Sequence, residues 1–202
     1  MAKNRIKTLT LLAKTKYLSL YEATYENRKG TEKHWTIASR KSFEVLKQQY
    51  FEEKIDDIDA VIIAAFHEET KSLVLIKQFR IPLNDYVYEL PAGLVDGNET
   101  IEQSVRRELK EETGLTLKEI NSAKTNKKIY ASAGMTDEAM AMVYCSCSGE
   151  ICKDYLEEDE DIEAFFVDQQ KAKELLSSDV KMDVKALLIL QSFAVLGEDL
   201  FK

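Results

Sequence analysis

Alternating and continuous apolar runs predict strands along most of the chain. Residues 17–25 and 33–40 are strand-like and are separated by a polar segment whose Asn27 and Gly30 suit a turn. This pattern predicts an N-terminal hairpin or small sheet. Further strands are predicted at 60–66, 72–79, 86–90, 127–131, 138–147 and 162–167.

The strongest helix signal begins at Thr100, which with Gln103 three residues later forms a capping-box sequence. An apolar residue then recurs every four positions, at Ile101, Val105 and Leu109. Gly114 is placed to end this helix. Two more helices are predicted at 168–176 and 184–196. Strands that flank a central helix, with more helices following, predict an α+β fold.

The chain has 202 residues, enough for one core with a small appendage. We expect residues 1–50 to form an N-terminal β-sheet region and residues 51–202 to form the main domain. A net charge of −8 and a pI near 5.0 argue against nucleic acid or an anionic membrane as a partner.

Three cysteines, Cys145, Cys147 and Cys152, form an odd and clustered set. Such a set favours reduced, buried or half-buried thiols over a disulfide framework or a zinc site. The basic N-terminus has no long apolar segment. We therefore expect a cytoplasmic protein.

The predicted central helix carries an unusual density of carboxylates. Glu108 and Glu112 are four residues apart and share one face, with Glu111 beside them. Like charges at this spacing destabilise a helix by a few tenths of a kcal/mol. Either solvent or a bound divalent cation would relieve the repulsion. The helix alone favours an exposed acidic end.

The spacing around the helix reverses that preference. The segment 93–115 resembles the Nudix box at Gly93, Glu99, Arg107, Glu108, Leu109, Glu111, Glu112, Gly114 and Leu115. The resemblance implies an α/β/α sandwich around a mixed sheet. It also implies a Mg²⁺- or Mn²⁺-dependent hydrolase that acts on a nucleoside diphosphate linked to another group.

The resemblance assigns a role to each charged position of the box. The implied metal ligands are Glu108, Glu112, the carbonyl of Ala92 and, as a further candidate, Glu111. Glu111 could alternatively position water in catalysis. Arg107 would orient the carboxylates through its two-pronged guanidinium group. Glu99 either supports them or interacts with the helix dipole.

Segments outside the box resemble the ADP-ribose pyrophosphatase branch of the family. They are IKQFR (76–80), YELPAG (88–93) and EEDEDIEAFFV (157–167), and the likeness extends over roughly residues 15–195. In that branch an N-terminal sheet is exchanged between the subunits of a homodimer. The resemblance therefore implies a homodimer whose substrate is a nucleoside diphosphate sugar.

The same resemblance implies the substrate contacts. Tyr17 and Trp35 match aromatic residues that sandwich adenine, although each could instead pack in a dimer core. Arg40 and Arg80 match positions that bind the diphosphate and neighbouring groups. Glu89 matches a residue near substrate and metal, and a salt bridge between Arg80 and Glu89 is an alternative or additional role.

The general base is expected in the acidic loop 157–161. The pattern favours Glu160, with Glu158 second, and a solvated acidic loop is the alternative. Ala133 stands where the ADP-ribose branch usually has proline. This difference leaves open a GDP-mannose-type hydrolase, an oxidised-nucleotide hydrolase or a non-catalytic nucleotide-binding module. The expected reaction is hydrolysis of ADP-ribose to AMP and ribose 5-phosphate.

Overall fold

The computed structural model describes residues 5–52, 57–158 and 160–202. The chain divides into two compact units. The first comprises Met1–Asp59 and Ile129–Met140, and the second comprises Ala60–Lys128 and Ala141–Lys202. The sequence-based boundary at residue 50 lies inside the first unit, which also takes in a segment from the middle of the chain.

The first unit is built on a three-stranded antiparallel sheet in the order β1–β2–β3. Its elements are β1 (Ile6–Lys14), β2 (Ser19–Glu26), β3 (Glu32–Ser39) and helix α1 (Phe43–Phe51). The Asn27 side chain closes the β2–β3 turn by accepting hydrogen bonds from the backbone N–H groups of Lys29 and Thr31. Leu46 of α1 packs in a small core with Leu9 and Tyr21.

The larger sheet contains eight strands within the described residues. They are β4 (Ala60–His67), β5 (Ser72–Arg80), β6 (Asp85–Glu89), β7 (Ala92–Leu94), β8 (Thr116–Ile120), β9 (Asn126–Tyr130), β10 (Ala139–Ser148) and β11 (Ile162–Val167). The central path runs β11–β5–β4–β10–β8, with β6 paired to β5, β7 to β4 and β9 to β10. Strand β4 is buried along its whole length, as an interior strand covered on both faces should be.

Three helices complete the second unit: α2 (Ile101–Thr113), α3 (Gln169–Leu176) and α4 (Val184–Leu196). Helix α2 contacts β4 and β7, whereas α4 packs against α3, β5 and β6. The predicted α+β class, with a large mixed sheet and a small N-terminal sheet, is confirmed. No helix in the described part of the chain is long and apolar enough to cross a membrane.

Local signals fix both ends of α2. The Thr100 side chain accepts from the Gln103 backbone N–H, and the Gln103 side chain accepts from the Thr100 N–H. Gly114 ends the helix in the left-handed conformation, with φ of 77°. A Cβ there would lie 2.5 Å from Cys152 Sγ, so conformation and space both require glycine.

The three cysteines are free, as expected for reduced thiols. Cys145 and Cys147 are buried on β10 and Cys152 is half-buried. Burial raises the pKa of both β10 thiols, that of Cys147 to about 12. These thiols are therefore protonated and unreactive near neutral pH.

Candidate active site

An acidic cleft of about 300 Å³ opens in the second unit. Its described lining residues are Gln78, Arg80, Ala92, Gly93, Leu94, Asp96, Arg107, Glu108, Glu111, Glu112, Glu157 and Glu160. Six of these side chains are acidic and two are arginines. Strand β5, strand β7, helix α2 and the loop before β11 each contribute to the cleft.

Helix α2 places two carboxylates inside the protein. Glu108 is 7% exposed and Glu112 is 4% exposed. One oxygen of Glu112 accepts a hydrogen bond of 2.9 Å from the backbone N–H of Ala92 on β7. Burial raises the pKa of Glu108 and raises that of Glu112 well above its ordinary value. Ionising both groups therefore requires nearby positive charge.

Gly93 lets strand β7 approach the Glu108 carboxylate closely. A Cβ at this position would lie 1.9 Å from both Cδ and Oε1 of Glu108. Strand β7 cannot retreat freely, because Gly93 is paired with Val61 of the buried strand β4. The glycine is therefore required for space at this position.

Arg107 binds the carboxylates that surround it. Its Nη1 donates to Glu108 at 2.7 Å and to Glu111 at 3.0 Å, while Nε and Nη2 engage both oxygens of Glu99 at 3.1 and 3.0 Å. Nη2 also donates to the carbonyl of Leu94 at 2.9 Å. The hydrogen bonds from Arg107 lower the pKa of Glu99 to about 2. Glu99 thereby orients Arg107, and Arg107 orients Glu108 and Glu111.

The donor set of the cleft fits a hard divalent cation. Within residues 5–52, 57–158 and 160–202, no three His, Cys, Asp or Glu side chains already converge as a metal-binding group, because Arg107 engages Glu108 and Glu111. The buried oxygens of Glu108 and Glu112 are nevertheless ligands of the kind that Mg²⁺ prefers. A cation beside them would offset the cost of burying two carboxylates.

Arg80 is held at the cleft by a buried partner. Its Nε and Nη2 donate to the two oxygens of Glu89 at 2.6 and 2.8 Å, so the salt bridge considered from the sequence is present. Glu89 is 8% exposed, whereas the Arg80 side chain remains 43% exposed. The hydrogen bond to Glu89 raises the pKa of Arg80. Arg80 is thus a fixed positive charge that solvent and ligands can reach.

The acidic loop contributes Glu157 and Glu160 to the cleft. The backbone N–H of Glu157 donates to Glu160 at 2.9 Å, and the charge of Glu160 contributes to the raised pKa of both Glu108 and Glu112. Glu158 is exposed and is not among the described residues that line the cleft. Asp159 lies outside the described residues. Of the two candidate bases, Glu160 is the one in the cleft.

Trp35 lies in the first unit, in a separate cleft of about 270 Å³. The lining residues are Trp35, Ile37, Tyr50, Tyr130, Ala133, Gly134, Met135, Thr136 and Asp137. The indole N–H of Trp35 donates to the carbonyl of Gly134 at 3.2 Å, yet the side chain remains 52% exposed. Trp35 therefore offers a ring face for stacking.

The other candidate residues of the first unit lie apart from this lining. Tyr17 is 67% exposed, with the Lys16 ammonium group 4.6 Å from its ring centre. Arg40 donates through Nε to Glu138 at 3.2 Å. Within one chain, Tyr17 and Trp35 do not line the same described cleft.

Sequence reasoning missed Gln78, Glu157 and Tyr130 as cleft residues. One signal existed for Gln78, because it alternates on β5 with buried Ile76 and would therefore share its face. A polar side chain at such a position is a candidate site residue. No local pattern distinguishes Glu157 from its acidic neighbours.

A family model described as the NUDIX domain matches residues 56–185. The chain is 34% identical over 136 residues to an ADP-ribose pyrophosphatase of Bacillus subtilis, covering 65% of this chain and 70% of that protein. It is 28% identical over 173 residues to a GDP-mannose pyrophosphatase of an Enterobacter species, covering 79% and 84%. The chain spans only 50% and 66% of the length of two further relatives.

A solved structure described as an ADP compounds hydrolase has a similar fold. The TM-score is 0.66 at 16% identity, and the match covers 93% of this chain and 92% of that one. The family match contains the whole segment 93–115, including the Arg107-centred carboxylates and Gly93. Because that match also covers more than half of the 202 residues, the chain belongs to the Nudix family.

Proposed function

We propose that this chain is a metal-dependent pyrophosphatase that cleaves ADP-ribose, or a related nucleoside diphosphate sugar, to AMP and ribose 5-phosphate. The observation that carries the proposal is the pair of buried carboxylates, Glu108 and Glu112, on one face of α2 in an open cleft. Relatives named as ADP-ribose and GDP-mannose pyrophosphatases support the substrate class.

The cleft needs a cation to accept a diphosphate. Its described lining has six acidic side chains against two arginines, so an anionic substrate alone would be repelled. We propose that Mg²⁺ or Mn²⁺ is held by Glu108, Glu111, Glu112 and the carbonyl of Ala92. A divalent cation in such a site neutralises phosphate charge and makes water more nucleophilic.

The chain's own residues supply positioning and proton transfer. Arg107 keeps Glu108 and Glu111 in place, and Arg80, fixed by Glu89, offers positive charge to the diphosphate. We assign proton acceptance from the attacking water to a carboxylate oxygen of Glu160, with Glu158 as the second candidate. An acceptor of this kind contributes typically 10²- to 10⁴-fold in rate.

Residues 1–50 are proposed to bind the nucleoside end of the substrate and to form a homodimer with exchanged N-terminal sheets. Trp35, with Tyr17 from the exchanged sheet, would stack on the base, and Arg40 would contact the diphosphate. Exposed leucines in the sheet region support a partner surface: Leu11, Leu12, Leu18 and Leu20 are 39–53% exposed. A cytoplasmic location is part of the same proposal.

A GDP-mannose-type activity is the second candidate. The likeness to a GDP-mannose pyrophosphatase extends over 84% of that relative, and Ala133 lines the Trp35 cleft. A non-catalytic nucleotide-binding module receives less support, because every carboxylate of the box is present.

A substrate panel distinguishes these candidates. ADP-ribose, GDP-mannose and other nucleotide sugars are incubated with the protein and Mg²⁺ or Mn²⁺, and nucleoside monophosphate is separated by chromatography. The proposal predicts AMP from ADP-ribose and no product in EDTA. Preferential release of GMP would support the second candidate, and failure to cleave any nucleotide sugar would contradict the enzymatic proposal.

A further inference from the structure

Gln78 occupies a fully paired position of the large sheet and yet lines the acidic cleft. Its backbone lies opposite Ile162 of β11 on one side and opposite Val87 of β6 on the other. Strand alternation gives it the same face as Ile76 and Arg80. Its side chain thus reaches the cleft from a rigid strand, and not from the box helix.

The amide oxygen of Gln78 is buried and unpaired. Of the side-chain nitrogen and oxygen atoms in the described parts of the chain, Gln78 Oε1 is the one found buried with no hydrogen-bond partner. A desolvated acceptor without a donor destabilises a folded protein, and native proteins leave few such atoms. This position in a candidate active site points to a donor supplied by a ligand.

The chemistry of the cleft indicates what that donor is. An amide oxygen accepts hydrogen bonds, and carboxylates such as Glu108, Glu112 and Glu160 have no proton to donate when ionised. Ionised phosphate oxygens are acceptors as well. The remaining donors are O–H groups, carried either by water around a cation or by a sugar hydroxyl. The acidic lining favours the hydrated cation.

We propose that Gln78 Oε1 accepts a hydrogen bond from a water molecule in the hydration shell of the divalent cation. The inference rests on the proposed function, and it adds a residue of β5 to a metal site otherwise formed by α2 and β7. Gln78 is then a positioning residue that fixes the cation against the sheet. Partners of this kind typically change metal affinity 10- to 100-fold when they are replaced.

This role has an unusual stability signature. Gln78→Met keeps the length of the side chain and removes the unpaired acceptor, so the metal-free variant should unfold at the same temperature as the wild type or at a higher one. The same variant should bind metal more weakly. A packing role alone predicts the reverse pattern: a lower unfolding temperature and unchanged metal affinity.

The test uses Mn²⁺ alone, without substrate, on the wild type, Gln78→Met and the control Gln191→Met. Gln191 is an exposed residue of α4 that does not line the described cleft. Free Mn²⁺ is measured by electron paramagnetic resonance during titration, and unfolding temperatures are recorded in EDTA. We expect a Kd raised about 10- to 100-fold in Gln78→Met, no loss of stability, and wild-type behaviour in Gln191→Met.

Other outcomes separate the possible failures. If Gln78→Met binds Mn²⁺ like the wild type but its KM for ADP-ribose rises, the donor is a sugar hydroxyl and the cation assignment is wrong. A lower unfolding temperature with unchanged Mn²⁺ affinity would also overturn the inference. If the wild type hydrolyses ADP-ribose and binds Mn²⁺, either failure is confined to Gln78. A wild type that does neither contradicts the proposed function itself.

Discussion

Replacing Gly93 with alanine would put a methyl group where the Glu108 carboxylate now lies. The added Cβ would be 1.9 Å from Cδ and Oε1 and 2.2 Å from Oε2 of Glu108. Carbon atoms in contact are about 3.5 Å apart. The carboxylate must therefore move by roughly 1.6 Å, because β7 is held by its pairing to β4.

A movement of this size breaks the 2.7 Å hydrogen bond from Arg107 to Glu108. It also moves Glu108 out of register with Glu112, its proposed partner in metal binding. A misplacement of about 1 Å in an active site can reduce rates on the order of 10²-fold. We therefore predict that kcat/KM for ADP-ribose falls about 10²-fold in Gly93→Ala, equivalent to about 2.7 kcal/mol in the barrier.

Steady-state AMP release from ADP-ribose measures this effect, and Gly149→Ala serves as the control. A Cβ at Gly149 would meet nothing within 4 Å, but the residue has φ of +106°. The control should therefore lower the unfolding temperature and leave kcat/KM unchanged. The reasoning fails if Gly93→Ala is folded and its kcat/KM lies within about threefold of wild type, since the inferred loss is on the order of 10²-fold.

Three further changes test other parts of the account. Trp35→Ala should raise the KM for ADP-ribose about tenfold, because base stacking contributes about 1–3 kcal/mol, and Trp35→Phe should recover most of the loss; an unchanged KM would remove Trp35 from the site. Glu160→Gln should lower kcat at least about 10²-fold and Glu158→Gln should not; equal rates in both would exclude Glu160 as the base. Glu99, with a pKa near 2 against an ordinary 4.5, stabilises the fold above about pH 4.5, and that contribution is lost as the pH falls toward 2. The stability difference between wild type and Glu99→Gln in urea unfolding should therefore be present at pH 5 and 7 and shrink below about pH 4; a difference independent of pH would refute the Arg107–Glu99 assignment.

Helices with complete local signals could be predicted from the sequence. The Thr100 cap, the apolar stripe and Gly114 define α2 as it is observed, Ile101–Thr113. The predicted helix at 184–196 has the observed bounds of α4. In both cases the residues that fix the ends are near neighbours in the chain, so a short stretch carries the whole signal.

Elements that depend on distant partners were missed. Strand β1 (Ile6–Lys14) gains its hydrogen bonds from β2, and α1 (Phe43–Phe51) has one buried residue, Leu46, which packs on that sheet. Strand β8 (Thr116–Ile120) is a short strand paired with β10. None of the three has a strong periodicity of its own, because tertiary pairing determines its structure.

The site divides in the same way. The spacing of Glu108 and Glu112 shows that they share a face, but their burial comes from strands that the spacing does not contain. The reach of Arg107 to Glu99 and Leu94 depends on the loop before α2. The unpaired oxygen of Gln78 emerges only when β5, β6 and β11 are assembled.

The central claim is that Glu112 takes part in metal-dependent cleavage of ADP-ribose. Its most direct test compares wild type with Glu112→Gln, an isosteric change at a buried position, by chromatographic measurement of AMP release in Mg²⁺ and in EDTA. We predict Mg²⁺-dependent AMP release by the wild type and its loss, on the order of 10²-fold or more, in a Glu112→Gln variant that remains folded by circular dichroism. Equal Mg²⁺-dependent rates in the two proteins, or AMP release that persists in EDTA, would contradict the account.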